Sequence, residues 1–236
     1  VAFELDSIVR RGTLRAVTDF NSADYFVYRG EPMGFHYELL RAFSDHLGLG
    51  LELVTEENIG NAFDMLNSGD VDILAMGLTV TPERNRSILF TEPIDSTRQV
   101  IVQRKPHNWQ KLSSSDLEKK LLRNYTDLAG KSVFVQKGSI HSEYLHRIGK
   151  EIGQPLTVVE VPFDPEVLIQ LVDNGEIDYA VCDENIAKVN ASLYGNIDIG
   201  MTLSGVQKLS WGIRKTGSEQ LQKELDQWIS TFRKTT

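Results

Sequence analysis

Hydrophobic and polar positions change period repeatedly along this chain, and the changes mark its elements. A short helix from Asp6 is ended by Gly12, and Thr13 to Val17 then alternates as a strand. Leu39, Leu40, Phe43 and Leu47 fall at helical spacing, so Tyr37 to Leu47 is expected to be an amphipathic helix stopped by Gly48. Leu51 to Val54 reads as a second strand. Ala62 to Asn67 reads as a helix with Gly69 at its C-cap, and Val71 to Ala75 as a third strand. Gln99 to Gln103 is a fourth, apolar strand. In the second half, strands are expected at Ser132 to Gln136, Thr157 to Val161, Ile177 to Cys182 and Leu209 to Ile213. Helices fall between and after them: one to about Ile152, Glu166 to Asp173 capped by Gly175, Glu184 to about Leu193, and Ser218 to Phe232. This alternation predicts an α/β fold with largely parallel sheets.

Two stretches break the pattern. Thr18 to Pro32 is expected as a loop rich in aromatics: Phe20, Tyr25, Phe26 and Tyr28. Lys105 to Tyr125 is polar and is expected as a loop with a short exposed helix at Asp116 to Leu122. No chemistry is assigned to it.

The pattern also repeats once. Phe63 to Asp72 and Leu168 to Asp178 each contain an apolar helix, a stop glycine, an acid, a β-branched residue and an aspartate, and each leads into a strand. Strand, loop and helix precede both copies. Two similar lobes are therefore expected rather than one long sheet, and two copies do not make a solenoid.

Composition narrows the partners. The 236 residues carry a net charge of −8, which disfavours nucleic acid and anionic membrane surfaces. The single cysteine, Cys182, allows no intrachain disulfide. The five histidines lack a zinc spacing, so neither a metal nor a cofactor is expected. No apolar run reaches the roughly 20 residues of a membrane span. The chain starts at Val1, from which a processed or trimmed product is expected.

Candidate chemistry follows from where ligands sit in open α/β sheets, beyond the carboxyl ends of strands. Four loops qualify. Asp19 to Tyr25 offers Phe20 or Tyr25 to cover an apolar group. Gly77 to Arg84 combines Gly77, Thr79 and Arg84, with Thr81 expected as N-cap and Pro82 as the first helical residue. Such a turn with an arginine fork suits a carboxylate or phosphate. Lys137 to His141 contains Gly138-Ser139 before a helix, with Ser139 expected as an N-cap. Asp183 ends a strand and suits an ammonium group, although by itself it fits equally well as the cap of the next helix. A cationic and an anionic anchor together suit a zwitterion. Enzyme patterns fit less well. No Gly-x-Ser-x-Gly elbow occurs, and Gly130-Lys131-Ser132 precedes a strand where a phosphate loop precedes a helix.

The chain resembles the family 3 periplasmic solute-binding proteins that serve amino-acid ABC transporters. Gly34-Phe35-His36-Tyr37-Glu38-Leu39, Leu66 to Asp72, Thr79 to Arg84 and Phe90-Thr91-Glu92-Pro93 carry the likeness, which runs from about Leu5 to Phe232. It implies the α/β, type II periplasmic binding protein fold: two α/β lobes joined by two hinge strands, lobe 1 at 1–102 and 206–236 and lobe 2 at 103–205. It also implies that Arg84 and Thr79 hold an α-carboxylate, that Gly77 offers its carbonyl, that Ser139 assists, that Asp183 takes the α-amino group, and that hinge closure traps the ligand. Leu5-Asp6-Ser7-Ile8, Arg11 to Arg15, Gly138 to His141, Asp178 to Asp183 and Lys208-Leu209-Ser210-Trp211 resemble the N-terminal domain of the membrane-bound lytic murein transglycosylase F family. From that likeness a monomeric periplasmic sensor domain is expected, binding an amino acid or a muropeptide. Its catalytic domain would follow in a longer parent protein, and a removed N-terminal segment would anchor it. A free amino-acid-binding protein partnered with an ABC permease is the alternative. An enzyme in its own right, such as a dehydratase on this fold, is a third class.

Overall fold

The computed structural model describes residues 5–235; residues 1–4 and 236, the outer ends of the expected first lobe, lie outside them. The chain forms two compact units, 1–96 with 208–236, and 97–207.

The first unit begins with α1 (Leu5–Arg11) and β1 (Thr13–Thr18), then a hairpin, β2 (Phe26–Tyr28) and β3 (Glu31–Met33). α2 (Phe35–His46), β4 (Gly50–Thr55), α3 (Ile59–Ser68), β5 (Ile73–Thr79), the single turn α4 (Arg84–Ser87), β6 (Ile88–Phe90) and β7 (Asp95–Thr97) follow. Its sheet has the order β4-β1-β5-β13-β6, where β13 is Gln207–Arg214, and β7 pairs with β13. The strands β4, β1 and β5 are parallel, while β13 is antiparallel to β5 and β6. The helix α9 (Glu219–Thr235) closes the unit.

Both faces of this sheet are covered, as a parallel sheet requires. Along β5, Ile73 and Ala75 pack with Leu40 and Phe43 of α2 and Leu221 and Leu225 of α9. The alternate residues Leu74, Met76 and Leu78 pack with Ala62 and Leu66 of α3. A period of two thus sends one strand into two cores.

The second unit contains β8 (Gln99–Arg104), α5 (Ser114–Glu118), β9 (Ser132–Gln136), α6 (His141–Glu151), β10 (Thr157–Val161), α7 (Pro165–Asn174), β11 (Tyr179–Asp183), α8 (Glu184–Ala191) and β12 (Ile197–Thr202). Its sheet order is β10-β9-β11-β8-β12. The strands β10, β9 and β11 are parallel; β8 runs antiparallel to β11 and β12. A division after residue 102 would cut through β8, whose ladders to β11 and β12 hold it in the second sheet.

The repeat seen in the sequence becomes matching topology. β1-α2-β4-α3-β5 and β9-α6-β10-α7-β11 share the same middle-strand arrangement. Each is flanked by an antiparallel strand ending in arginine. Arg214 donates to the carbonyls of Leu66 and Val71, and Arg104 to those of Val172 and Asp173. Arg104 thereby bonds two carbonyls in the last turn of α7, and Arg214 one in the last turn of α3 and one in the segment after it. Gly69 and Gly175 supply the left-handed C-caps, at φ 90° and 80°.

The polar stretch after β8 is tied down rather than loose. Arg123 binds Asp198 with two nitrogens, at 2.6 and 3.1 Å, and also donates to Glu118. Burial would raise the Asp198 carboxyl, but hydrogen bonds from Arg123, the Gly200 N–H and Gln103 hold it below the usual range.

Candidate functional site

In the first unit the strand β5 extends past Ala75 to Thr79, because β13 pairs Ser210 with Leu78 and Leu209 with Thr79. Met76 and Leu78 turn into the core, which leaves Gly77 and Thr79 on the other face, half-buried. A side chain at 77 would come within 3.1 Å of Leu209 Cδ1 and 3.6 Å of His36 Nε2, so glycine suits the position.

The expected helix N-terminus at Thr81-Pro82 does not form. The helix begins at Arg84, lasts four residues, and has Glu83 as its N-cap without a side-chain capping bond. Thr81 Oγ1 accepts from the Arg84 N–H at 3.2 Å, which closes the turn locally. A single turn has few aligned peptide dipoles, so the positive character of this loop comes from the Arg84 guanidinium. Arg84 Nη1 donates to the Thr79 carbonyl at 3.1 Å, and this fixes the fork at the end of β5.

Tyr25 is half-buried. Its ring meets Phe20 edge-on at 5.8 Å and tilts against Tyr37 at 5.8 Å. The loop behind it is held by a polar network. Asn21 Nδ2 donates to Asp24 Oδ2 at 2.9 Å, and Asn21 Oδ1 accepts the N–H groups of Ala23 and Asp24. Trp211 donates its indole N–H to His36 Nδ1 at 3.0 Å, which places the His36 proton on Nε2, facing Asp24 Oδ1 at 3.4 Å. Burial lowers the His36 pKa below its ordinary value, against an opposite pull from Asp24 and Asp95. His36, Asp24, Asn21 and Trp211 thus form a buried polar network behind the Tyr25 loop. His36 and Trp211 lie in segments read only as packing or as family likeness; nothing in spacing joins residues so far apart.

In the second unit, Ser139 does not cap α6; Ile140 does, without a side-chain bond. The Ser139 hydroxyl donates to the Gln136 carbonyl at 2.7 Å. It reaches a carboxylate only by rotating away from that bond. Asp183 occupies the N-cap of α8, yet its side chain makes no capping bond. Oδ1 instead faces His141 Nε2 at 3.3 Å. The Asp183 side chain is 23% exposed and that of His141 7%.

In the first unit the structure thus places His36 beside Gly77 and Arg84 on the Thr79 carbonyl, while Tyr25 packs with Phe20 and Tyr37. In the second it places Asp183 beside His141, two residues after Ser139.

Known proteins add a frame. The model of the bacterial extracellular solute-binding proteins, family 3, matches residues 14–236. A membrane-bound lytic murein transglycosylase F of Ectopseudomonas mendocina is 31% identical over 227 residues, 95% of this chain and 44% of that protein. The chain therefore spans less than half the length of this relative. Among solved structures, an ancestral arginine-binding protein bound to arginine superposes with a TM-score of 0.78 at 25% identity, covering 95% of this chain and 93% of its own. The ancestral amino acid-binding protein AncCDT-1, a precursor of cyclohexadienyl dehydratase, gives 0.76 at 26%, covering 98% and 93%. The mixed α/β sheets of both units are those of type II periplasmic binding proteins.

Proposed function

Since the chain belongs to family 3 of the bacterial extracellular solute-binding proteins, we propose that it is a periplasmic, monomeric ligand-binding domain with a sensor role in a lytic transglycosylase F-like parent protein. Its ligand is an amino acid or a peptidoglycan-derived peptide, and both are zwitterions. The observation that carries this reading is the presence of one cationic and one anionic anchor at strand ends. Arg84 is fixed by the Thr79 carbonyl, and Asp183 is turned away from its own helix.

In this reading Arg84 and Thr79 hold the α-carboxylate, with Ser139 assisting once its hydroxyl rotates. The Gly77 carbonyl and Asp183 accept from the α-ammonium. Tyr25 covers the apolar part of the ligand. The sensor role is favoured by the likeness to transglycosylase F. A free amino-acid-binding protein serving an ABC permease is the second reading, favoured by the arginine-binding structural relative.

The test is calorimetric titration with a panel of amino acids and muropeptides. Arg84→Ala should weaken binding by about 2–5 kcal/mol, because a desolvated carboxylate loses its partner. Unchanged affinity in that variant places the carboxylate elsewhere. Heat only from muropeptides favours the sensor; heat only from one amino-acid class favours transport.

A further inference from the structure

The Asp183 carboxylate is turned in a direction its local position does not explain. An aspartate at a helix N-cap ordinarily accepts from the second or third N–H of its helix. Asp183 has the backbone of an N-cap, at φ −71° and ψ 142°, and makes no such bond. Its Oδ1 lies 3.3 Å from His141 Nε2, on the first turn of α6. Its Oδ2 has no hydrogen-bond partner among the described residues.

His141 is committed to this contact. It is 6% exposed, and its Nδ1 is buried with no hydrogen-bond partner among the described residues. A proton on Nδ1 would be a buried donor without an acceptor, which is unfavourable. The hydrogen-bond network therefore assigns the proton to Nε2, facing the carboxylate. The neighbouring elements do not supply a substitute. The Ser139 hydroxyl is engaged with Gln136, and the Asn185 side chain accepts from Thr97 Oγ1 and from the Ile186 N–H.

The geometry points to His141 as the positioning residue of the ammonium subsite: its Nε2–H holds one oxygen of Asp183 and leaves the other for a primary ammonium group. This rests on the assignment of Asp183 to the ligand's amino group made above. A single N–H donor suits the task, because it holds one carboxylate oxygen and leaves the other for the ligand. An arginine or lysine at 141 would occupy the same oxygen and compete with the ligand.

Three variants and two probes test this. The probes are L-arginine and δ-guanidinovalerate, which is the same molecule without its α-amino group. In the wild-type protein L-arginine should bind more tightly. His141→Leu should lower L-arginine affinity about tenfold, the size of one hydrogen bond to a charged group, and leave δ-guanidinovalerate unchanged. His141→Gln, which keeps a side-chain N–H, should recover most of the loss. Equal losses for both probes would show a general packing role and overturn the proposal. Asp183→Asn should abolish the preference for the amino-bearing probe. If it does not, the assignment of Asp183 fails. If it does while His141→Leu changes nothing, only the role of His141 fails. A ligand-free measurement covers the case in which neither probe binds. Nitrogen-15 NMR of the unliganded protein should show His141 protonated at Nε2, the ring nitrogen that faces Asp183. An averaged tautomer in the wild-type protein overturns the proposal.

Discussion

Gly34 shows how one residue holds the loop that carries Tyr25. It sits at the start of α2 with φ 124°, and a side chain there would lie 2.4 Å from the Asp24 carbonyl oxygen. That carbonyl accepts the N–H groups of His36 and Tyr37, so the loop carrying Tyr25 is drawn onto the helix start. Gly34→Ala should destabilise the protein by roughly 2–4 kcal/mol, read as a lower urea midpoint. His36 adds a pH dependence. Its folded pKa is depressed by burial, so below about 6.5 the unfolded chain takes a proton that the folded one refuses. The stability it contributes is therefore full above that pH and is lost as pH falls toward the folded pKa. His36→Gln should flatten the acid limb of a melting-temperature profile relative to wild type, by at most about 1.4 kcal/mol per pH unit.

At the scale of elements, the repeated halves share a device but not its energetics. Arg104 and Arg214 both satisfy helix-end carbonyls. Arg214 is also paired with Asp72, which accepts the Arg15 N–H and an Arg11 nitrogen as well. The matching aspartate of the second copy, Asp178, is exposed. Arg214→Met should therefore cost about 3–5 kcal/mol, since it leaves a buried carboxylate short of a cation. Arg104→Met should cost about 1–3 kcal/mol, the value of unmade hydrogen bonds. Denaturant unfolding of the two variants checks the order. The β2–β3 hairpin illustrates a missed element. Its turn residues Arg29 and Gly30 both have positive φ, at 52° and 86°. Such two-residue turns favour Asn-Gly or Asp-Gly, and Arg-Gly hides the signal. Likewise α4 is one turn rather than a helix from Pro82. Thr81 binds the Arg84 N–H, and β6 begins four residues later at Ile88.

For the whole molecule, Cys182 offers a native probe. It is the chain's one cysteine, lies in β11 of the second unit next to Asp183, and is 1% exposed. Burial pushes its thiol pKa up, and the charges of Asp183 and Glu166 add to the effect. A chromogenic thiol reagent should leave the native protein unlabelled and react only as the second unit opens. Saturating ligand should slow that reaction; at a hundred times the dissociation constant it adds about 2.7 kcal/mol to the folded state. An unchanged labelling rate with bound ligand would show that binding does not stabilise the second unit.

The sequence by itself determined most helices and interior strands, the paired topology and the strand ends where candidate residues lie. These rest on local periodicity and on stop glycines, which act within a few residues. Arg84, Asp183, Tyr25, Gly77, Thr79 and Ser139 were legible as types at strand ends in that way. Only the tertiary structure decided what each of them touches there. It extended β5 through Gly77 by pairing it with β13 from the far end of the chain. It turned Asp183 toward His141 rather than its own helix, and it joined Asn21, Asp24, His36 and Trp211 into one network. Those outcomes depend on which distant groups share a buried volume, because a buried donor or acceptor must find a partner wherever the fold supplies one. No local pattern carries that information.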